Sequence, residues 1–202
     1  MTISKGTTWG SAVPRPADLR VAADDVQLAE WLNDATQRPT AVASGDLWRT
    51  IGGTSTDGRE ELNELPLDLL EVNLDGTVVH AVAHVVAHLP WWRGSWLRGP
   101  VVAVMNAEFV GEHDVAPRGH PNDGRAEVLQ IDGSMSARQR LAVRRRLRNA
   151  SHLPHPQITT RSVRHVEFPA LSGLRVAVDG RDRGSVSTLT VRVRPDAAVL
   201  YA

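Results

Sequence analysis

From Leu65 to the C-terminus, apolar residues recur at every second position in short runs, which predicts strands whose side chains alternate between two faces. The runs are LDLLEVNL, TVVHAVAHVVAHL, VVAVMNAEF, AEVLQI, SVRHVEF, LRVAV, STLTVRVR and AVLY. In STLTVRVR, Leu189, Val191 and Val193 oppose Thr188, Thr190, Arg192 and Arg194, the pattern of a half-buried strand. VVAVM is apolar on both sides and predicts a strand at the centre of a sheet. Asp75-Gly76 predicts a tight hairpin between LDLLEVNL and TVVHAVAHVVAHL. Only residues 136–149 read as a helix here, with Ser136 as its cap and Leu141, Val143 and Leu147 for packing. Many strands with one helix predict an antiparallel, β-sandwich-like domain over residues 61–202.

The first 60 residues follow another rhythm. Residues 1–16 are punctuated by Pro, Gly and Ser and predict loose chain. LRVAA reads as a strand, DDVQLAEWLNDA as a short helix capped by Asp24 or Asp25, and TAVAS as a second strand. SGDLWRT then opens a helix, and IGGTSTDG connects onward. This is a small βαβ-like unit, so the fold class is mainly β (α+β).

The run HAVAHVVAH places His80, His84 and His88 four residues apart. On a strand, which the flanking pattern favours, neighbouring histidines of this set lie roughly 13 Å apart and cannot share one ion. With only Ala and Val between them, no carboxylate or thiolate completes a tetrahedral shell. They read as one polar face of a strand, structural or lining a pocket, with a metalloprotein as the minor alternative.

Composition narrows the class. At 202 residues and 42% hydrophobic, the chain can bury a substantial core. No run approaches the ~20 apolar residues of a membrane span, and the N-terminus lacks a secretory layout. The absence of Cys excludes disulfides and thiolate sites, and fits a cytoplasmic setting. A formal net charge of zero argues against a general nucleic-acid binder. The charge is unevenly spread, however: Arg138, Arg140, Arg144, Arg145, Arg146 and Arg148 crowd the predicted helix with no acid among them. Such a face suits anionic lipid, at about 1 kcal/mol per Arg close to a charged membrane. Trp91, Trp92 and Trp96, flanked by Arg93 and Arg98, form a loop suited to a membrane interface or to capping the sandwich.

Two turns carry candidate chemistry. Asn122-Asp123-Gly124 offers one carboxylate and exposed carbonyls to a hard cation such as Mg²⁺, beside its plainer reading as a turn. Asp179-Gly180, with Asp182 nearby, is a turn whose first acid could act as a base toward a hydroxyl. In order and spacing these segments form a series: Asn106, Gly111, Ala116 and Pro117; then HPNDGRAEV; then the basic helix followed by HLPHP; then VAVDG; then strands interrupted at Pro195. The series resembles the C-terminal part of the bacterial diacylglycerol kinase/sphingosine kinase-like lipid kinases, from about Ala41 onward.

That resemblance implies a β-sandwich domain beside a nucleotide-binding half, and transfer of phosphate from ATP to a lipid hydroxyl. It implies Mg²⁺ at Asp123 with the backbone carbonyls of His120 and Arg125. It places Asp179, with Asp182 as an alternative, near the general base. Asp46 and Arg49 would border the nucleotide site, and Asn106, His80 and His84 the cleft. The chain departs from the family where it matters most. It has no Gly-Gly-Asp-Gly-Thr loop to cradle phosphates, and the Asp-Gly-Glu turn reads Asp179-Gly180-Arg181. Two readings therefore stand: a truncated lipid- or nucleotide-binding relative without catalysis, or an active ATP- and Mg²⁺-dependent lipid kinase. The implied partners are anionic lipid or a lipid substrate, with a second copy or a full-length kinase over the surface a missing half-domain would cover.

Overall fold

The computed structural model describes residues 8–32, 38–171 and 173–202. The chain starts with β1 (Ser11–Pro14), β2 (Arg20–Ala22), α1 (Asp25–Leu32), β3 (Thr40–Val42) and α2 (Asp46–Thr50). It continues through the long β4 (Glu61–Leu74), β5 (Thr77–Ala81) and β6 (His84–His88). Two 3₁₀ turns, Trp91–Arg93 and Ser95–Leu97, lead to β7 (Val101–Met105), β8 (Phe109–Val110), β9 (His113–Asp114) and β10 (Ala126–Ile131). After α3 (Ala137–Leu147) come β11 (Ile158–Val163), β12 (His165–Phe168), β13 (Arg175–Val178), β14 (Arg181–Ser185) and β15 (Leu189–Tyr201).

The main strands form two antiparallel sheets. One has the order β1-β4-β15-β12, with β5 also paired to β4; the other runs β11-β10-β7-β6-β13-β14. Leu70, Val72, Val191 and Val193 of the first sheet meet Val85, Val104, Val128 and Val176 of the second in the largest core cluster. This is the expected sandwich. All five residues of β7 are buried, as the doubly apolar VVAVM requires, because α3 covers the second sheet's other face. That outer layer packs Val143 against Ala103, Met105, Leu129 and Ile158.

The βαβ-like unit is present as β2-α1-β3, its two strands parallel. Leu28, Ala29 and Leu47 of α1 and α2 pack on Leu67, Leu69 and Leu200 of the first sheet. Asp24 is the α1 cap, its Oδ1 accepting the Gln27 N–H at 2.9 Å. The predicted tail of this helix beyond Leu32 falls partly outside the described residues.

Four expectations are corrected. Ser11–Pro14 is not loose chain: it pairs with Glu61–Glu64 as an edge strand. STLTVRVR and AVLY form one strand, with a register shift between Arg194 and Ala198 absorbing Pro195. Nor is TVVHAVAHVVAHL a single strand. It leaves the first sheet after Ala81, bends through Val82 and Ala83, and enters the second at His84. SVRHVEF changes sheet in the same way between Val163 and His165.

Candidate functional site

The sheet-changing bend at Val82 and Ala83 is held from the side by Asp179. This acid occupies the Asp-Gly turn joining β13 to β14, with φ of 48° at Asp179 and 78° at Gly180. Both angles suit the tight hairpin those residues predict. The Asp179 carboxylate turns inward. Its Oδ2 accepts the Val82 N–H, and its Oδ1 accepts the Ala83 and His84 N–H groups, each at 2.9 Å. Burial pushes its pKa upward, opposed by His84 and the three backbone donors. Both carboxylate oxygens are thus engaged by backbone donors, and the side chain fixes the bend. Asp182 is exposed and paired with Arg175, on the outside of the same hairpin.

His84 lies beside this bend and is 3% exposed. Its Nε2 meets Asp46 Oδ2 at 2.7 Å, and its Nδ1 is buried without a partner. Asp46 is fixed in turn by the Gly111 N–H on Oδ1 at 2.7 Å. A carboxylate partner accepts, so Nε2 carries the proton. Burial pulls the His84 pKa down, but the Asp46 bond and the charges of Asp179, Asp46 and Asp25 outweigh it, and the net shift is upward. The histidine stripe thus splits. His84 and His88 face the same side of β6 and line one cavity, whereas His80 lines a separate pocket with Val79, Glu30 and Arg183.

Asp25, read from the sequence only as an alternative cap of α1, serves α2 instead. Its Oδ2 accepts the N–H groups of Asp46 (2.6 Å) and Leu47 (3.3 Å), filling the start of α2. Gly45 precedes that helix with φ 117°, and a Cβ there would stand 2.4 Å from Asp25 Oδ1. Burial, then the Asp179 charge, raises the Asp25 pKa to about 7. Between its unfolded value near 3.8 and its folded value near 7, the native state holds a proton the unfolded chain has lost. Stability therefore falls as pH rises through that window, by at most ~1.4 kcal/mol per pH unit for one proton. The upward shifts of Asp179 and His84 act in the same direction. Urea unfolding should show a weaker fold at pH 7.5 than at pH 5, with a smaller difference in Asp25→Asn; equal slopes in both proteins would refute this account.

The Asn122–Gly124 turn is likewise organised by an acid not singled out in the sequence. Asp68, buried within β4, accepts the Gly124 N–H on Oδ2 at 2.6 Å and the Asp196 N–H on Oδ1 at 2.9 Å. Asn106 is a strut, donating from Nδ2 to the carbonyls of Asp68 and Val82. Asp123 Oδ1 accepts the Arg125 N–H, the His120 carbonyl accepts the Asp123 N–H, and the His120 ring stacks edgewise on Trp9. Among the described residues, no three His, Cys, Asp or Glu side chains converge on a metal position.

The cavity under α3 has a volume of about 350 Å³, within the range of small-ligand sites. Its walls are mainly apolar: Val86, Ala103 and Leu129 from the sheet, Val143 and Leu147 from the helix, Trp96 from the preceding loop. Arg140 needs correction as a lipid-facing residue. It is 1% exposed, and its guanidinium donates to the carbonyls of Met135, Trp96, Gly99 and Asp132. Arg138, Arg145, Arg146 and Arg148 are exposed, and Arg144 lies over the Trp96 ring at 5.2 Å. Trp91 and Trp92 stand in solvent, 80% and 60% exposed. Arg49, the other nucleotide-border candidate, places its guanidinium over Phe109.

The two antiparallel sheets pack as a sandwich, with a helix closing an apolar cavity on one face. The family described as the YegS C-terminal NAD kinase β-sandwich-like domain matches residues 60–202, and the chain belongs to it. Three solved structures described as diacylglycerol kinases of Bacillus anthracis str. Sterne share the fold. They align with TM-scores of 0.61, 0.60 and 0.59 at 13%, 12% and 12% identity. The alignments cover 91% of this chain and 77%, 77% and 75% of theirs. No curated protein matches the chain significantly in sequence. The resemblance read from the motif series is therefore correct at the level of family and fold, and the chain is a kinase-family member.

Proposed function

We propose that this protein binds an alkyl lipid in the cavity beneath α3 and does not itself transfer phosphate. The observation that carries the reading is the cavity, with its apolar walls between a sheet and a basic helix. Diacylglycerol kinases, the description borne by the structures of like fold, act on a lipid, which agrees with such a cavity. The exposed arginines of α3 and the exposed Trp91 and Trp92 suit an anionic membrane surface nearby. No helix among the described residues is long and apolar enough to cross a membrane.

Against catalysis stand two features. Phosphoryl transfer depends on holding the triphosphate and neutralising its charge. The α2 N-terminus, which by the resemblance would border the nucleotide loop, already holds the Asp25 carboxyl. Asp179 and Asp182, the candidate bases, are committed to backbone donors and to Arg175. The test combines vesicle sedimentation with labelled ATP, Mg²⁺ and diacylglycerol-containing anionic vesicles. The expected result is sedimentation without labelled lipid. Labelled lipid formed by wild type and lost in Asp123→Ala would establish the active-kinase alternative.

A further inference from the structure

The geometry points to a polar end in the lipid cavity: we propose that the ligand is a single-chain amphiphile with an anionic head group, held by the free Nδ1 of His84. This rests on the cavity being a lipid site, and adds the chemistry of what enters it.

Six basic side chains line the cavity, His84, His88, His113, His152, Arg140 and Arg144, and no acid does. Arg140 is spent on backbone carbonyls, and His113 Nε2 accepts from Arg144 Nε at 3.2 Å. His88 Nδ1 faces the Leu89 carbonyl at 2.6 Å. His84 differs. It is almost wholly buried, its ring is oriented through Nε2 by Asp46, and its Nδ1 has nothing to bond. An unpaired buried polar nitrogen is costly, and a ligand oxygen at that point would recover the loss. The upward shift of the His84 pKa favours a proton on Nδ1, making it a donor to a carboxylate or phosphate oxygen. From there a chain can lie along Val86, Ala103 and Leu129 beneath Val143 and Leu147. An ammonium head would instead meet two arginines and no carboxylate on these walls.

The experiment compares hexadecanoate, hexadecyl phosphate and hexadecylamine by calorimetric titration of the full chain and of His84→Phe, which keeps the ring and removes its nitrogens. The two anions should bind roughly tenfold or more tightly than the amine, the scale of one charge-assisted hydrogen bond. That preference should vanish in His84→Phe. If His84→Phe does not fold, wild type still decides: ¹⁵N spectra should show the His84 Nδ1 resonance, and not that of His80, moving on addition of hexadecanoate. A tighter response to hexadecanoate would identify a carboxylate head, and one to hexadecyl phosphate a phosphate head. Equal binding of all three probes, or a stationary Nδ1 resonance, would overturn the head-group assignment while leaving the lipid reading intact. Binding of none would overturn both.

Discussion

Arg140→Ala should weaken the fold by about 4 kcal/mol, a large share of the 5–15 kcal/mol typical of a domain. The reason is the number of groups it leaves behind. Four carbonyls, those of Met135, Trp96, Gly99 and Asp132, lose a donor together. A large buried volume also empties beneath α3. These carbonyls come from the loop before β7 and from the turn before α3, so one planar guanidinium ties two loops to the helix. Arg140→Lys should rescue little, since an ammonium cannot span several fixed carbonyl directions as a flat fork does. Arg140→Met separates the contributions by restoring much of the volume without the hydrogen bonds, and should lie between Ala and wild type. Arg145→Ala, on the solvent side, should stay within ~0.5 kcal/mol. Urea unfolding followed by tryptophan fluorescence checks the series, because Trp96 sits where the two loops meet. An Arg140→Ala midpoint equal to that of Arg145→Ala would mean these bonds hold nothing together.

The contrast between Arg140 and its neighbours marks what the sequence can tell. Alternation located nearly every strand, because a half-buried sheet forces apolar residues to every second position. It could not tell which sheet a strand joins. HAVAHVVAH keeps its alternation while crossing from one sheet to the other, since both sides of the crossing are buried, and so His80 and His84 looked alike. The helix was legible from Ser136 onward, and Ser136 does cap it with Gln139 as its reciprocal partner. Which arginine turns inward was not, because Arg138 and Arg140 are both charges on a basic helix until the loop carbonyls are in place.

The site was legible as a set of turns more than as a set of roles. Asp75-Gly76 and Asp179-Gly180 are the hairpins they predict. That Asp179 reaches back to β6, nearly a hundred residues earlier, is a tertiary fact with no local trace. Asp68 did leave a signal, an acid between Leu67 and Leu69 in an apolar run, and such an acid needs donors wherever it is buried. Asp24 and Asp25 are adjacent, and nothing local says that the first caps α1 while the second closes α2.

Asp179→Ala should be the other large loss, again about 4 kcal/mol. Each of the Val82, Ala83 and His84 N–H groups would be left buried, at roughly 1–3 kcal/mol before relaxation. Ala is also less tolerant than Asp of the left-handed conformation, with φ at 48°. Removing a buried charge whose pKa is already raised returns part of this, which keeps the total below the simple sum. Asp179→Asn provides the finer comparison. Asn accepts the same backbone angles, and its one oxygen can serve Ala83 and His84, but its amide would face the Val82 N–H donor to donor. It should lose about half as much as Ala. The ligand cavity should report the same event, since His84 follows the bend: alkyl binding in Asp179→Asn should weaken alongside stability. A catalytic base would give the opposite pattern, with Asn leaving stability and binding nearly intact while abolishing any turnover. If Asp179→Ala unfolds at the wild-type urea midpoint, the carboxylate does not hold the crossing between sheets, and the strands on either side must fix it alone.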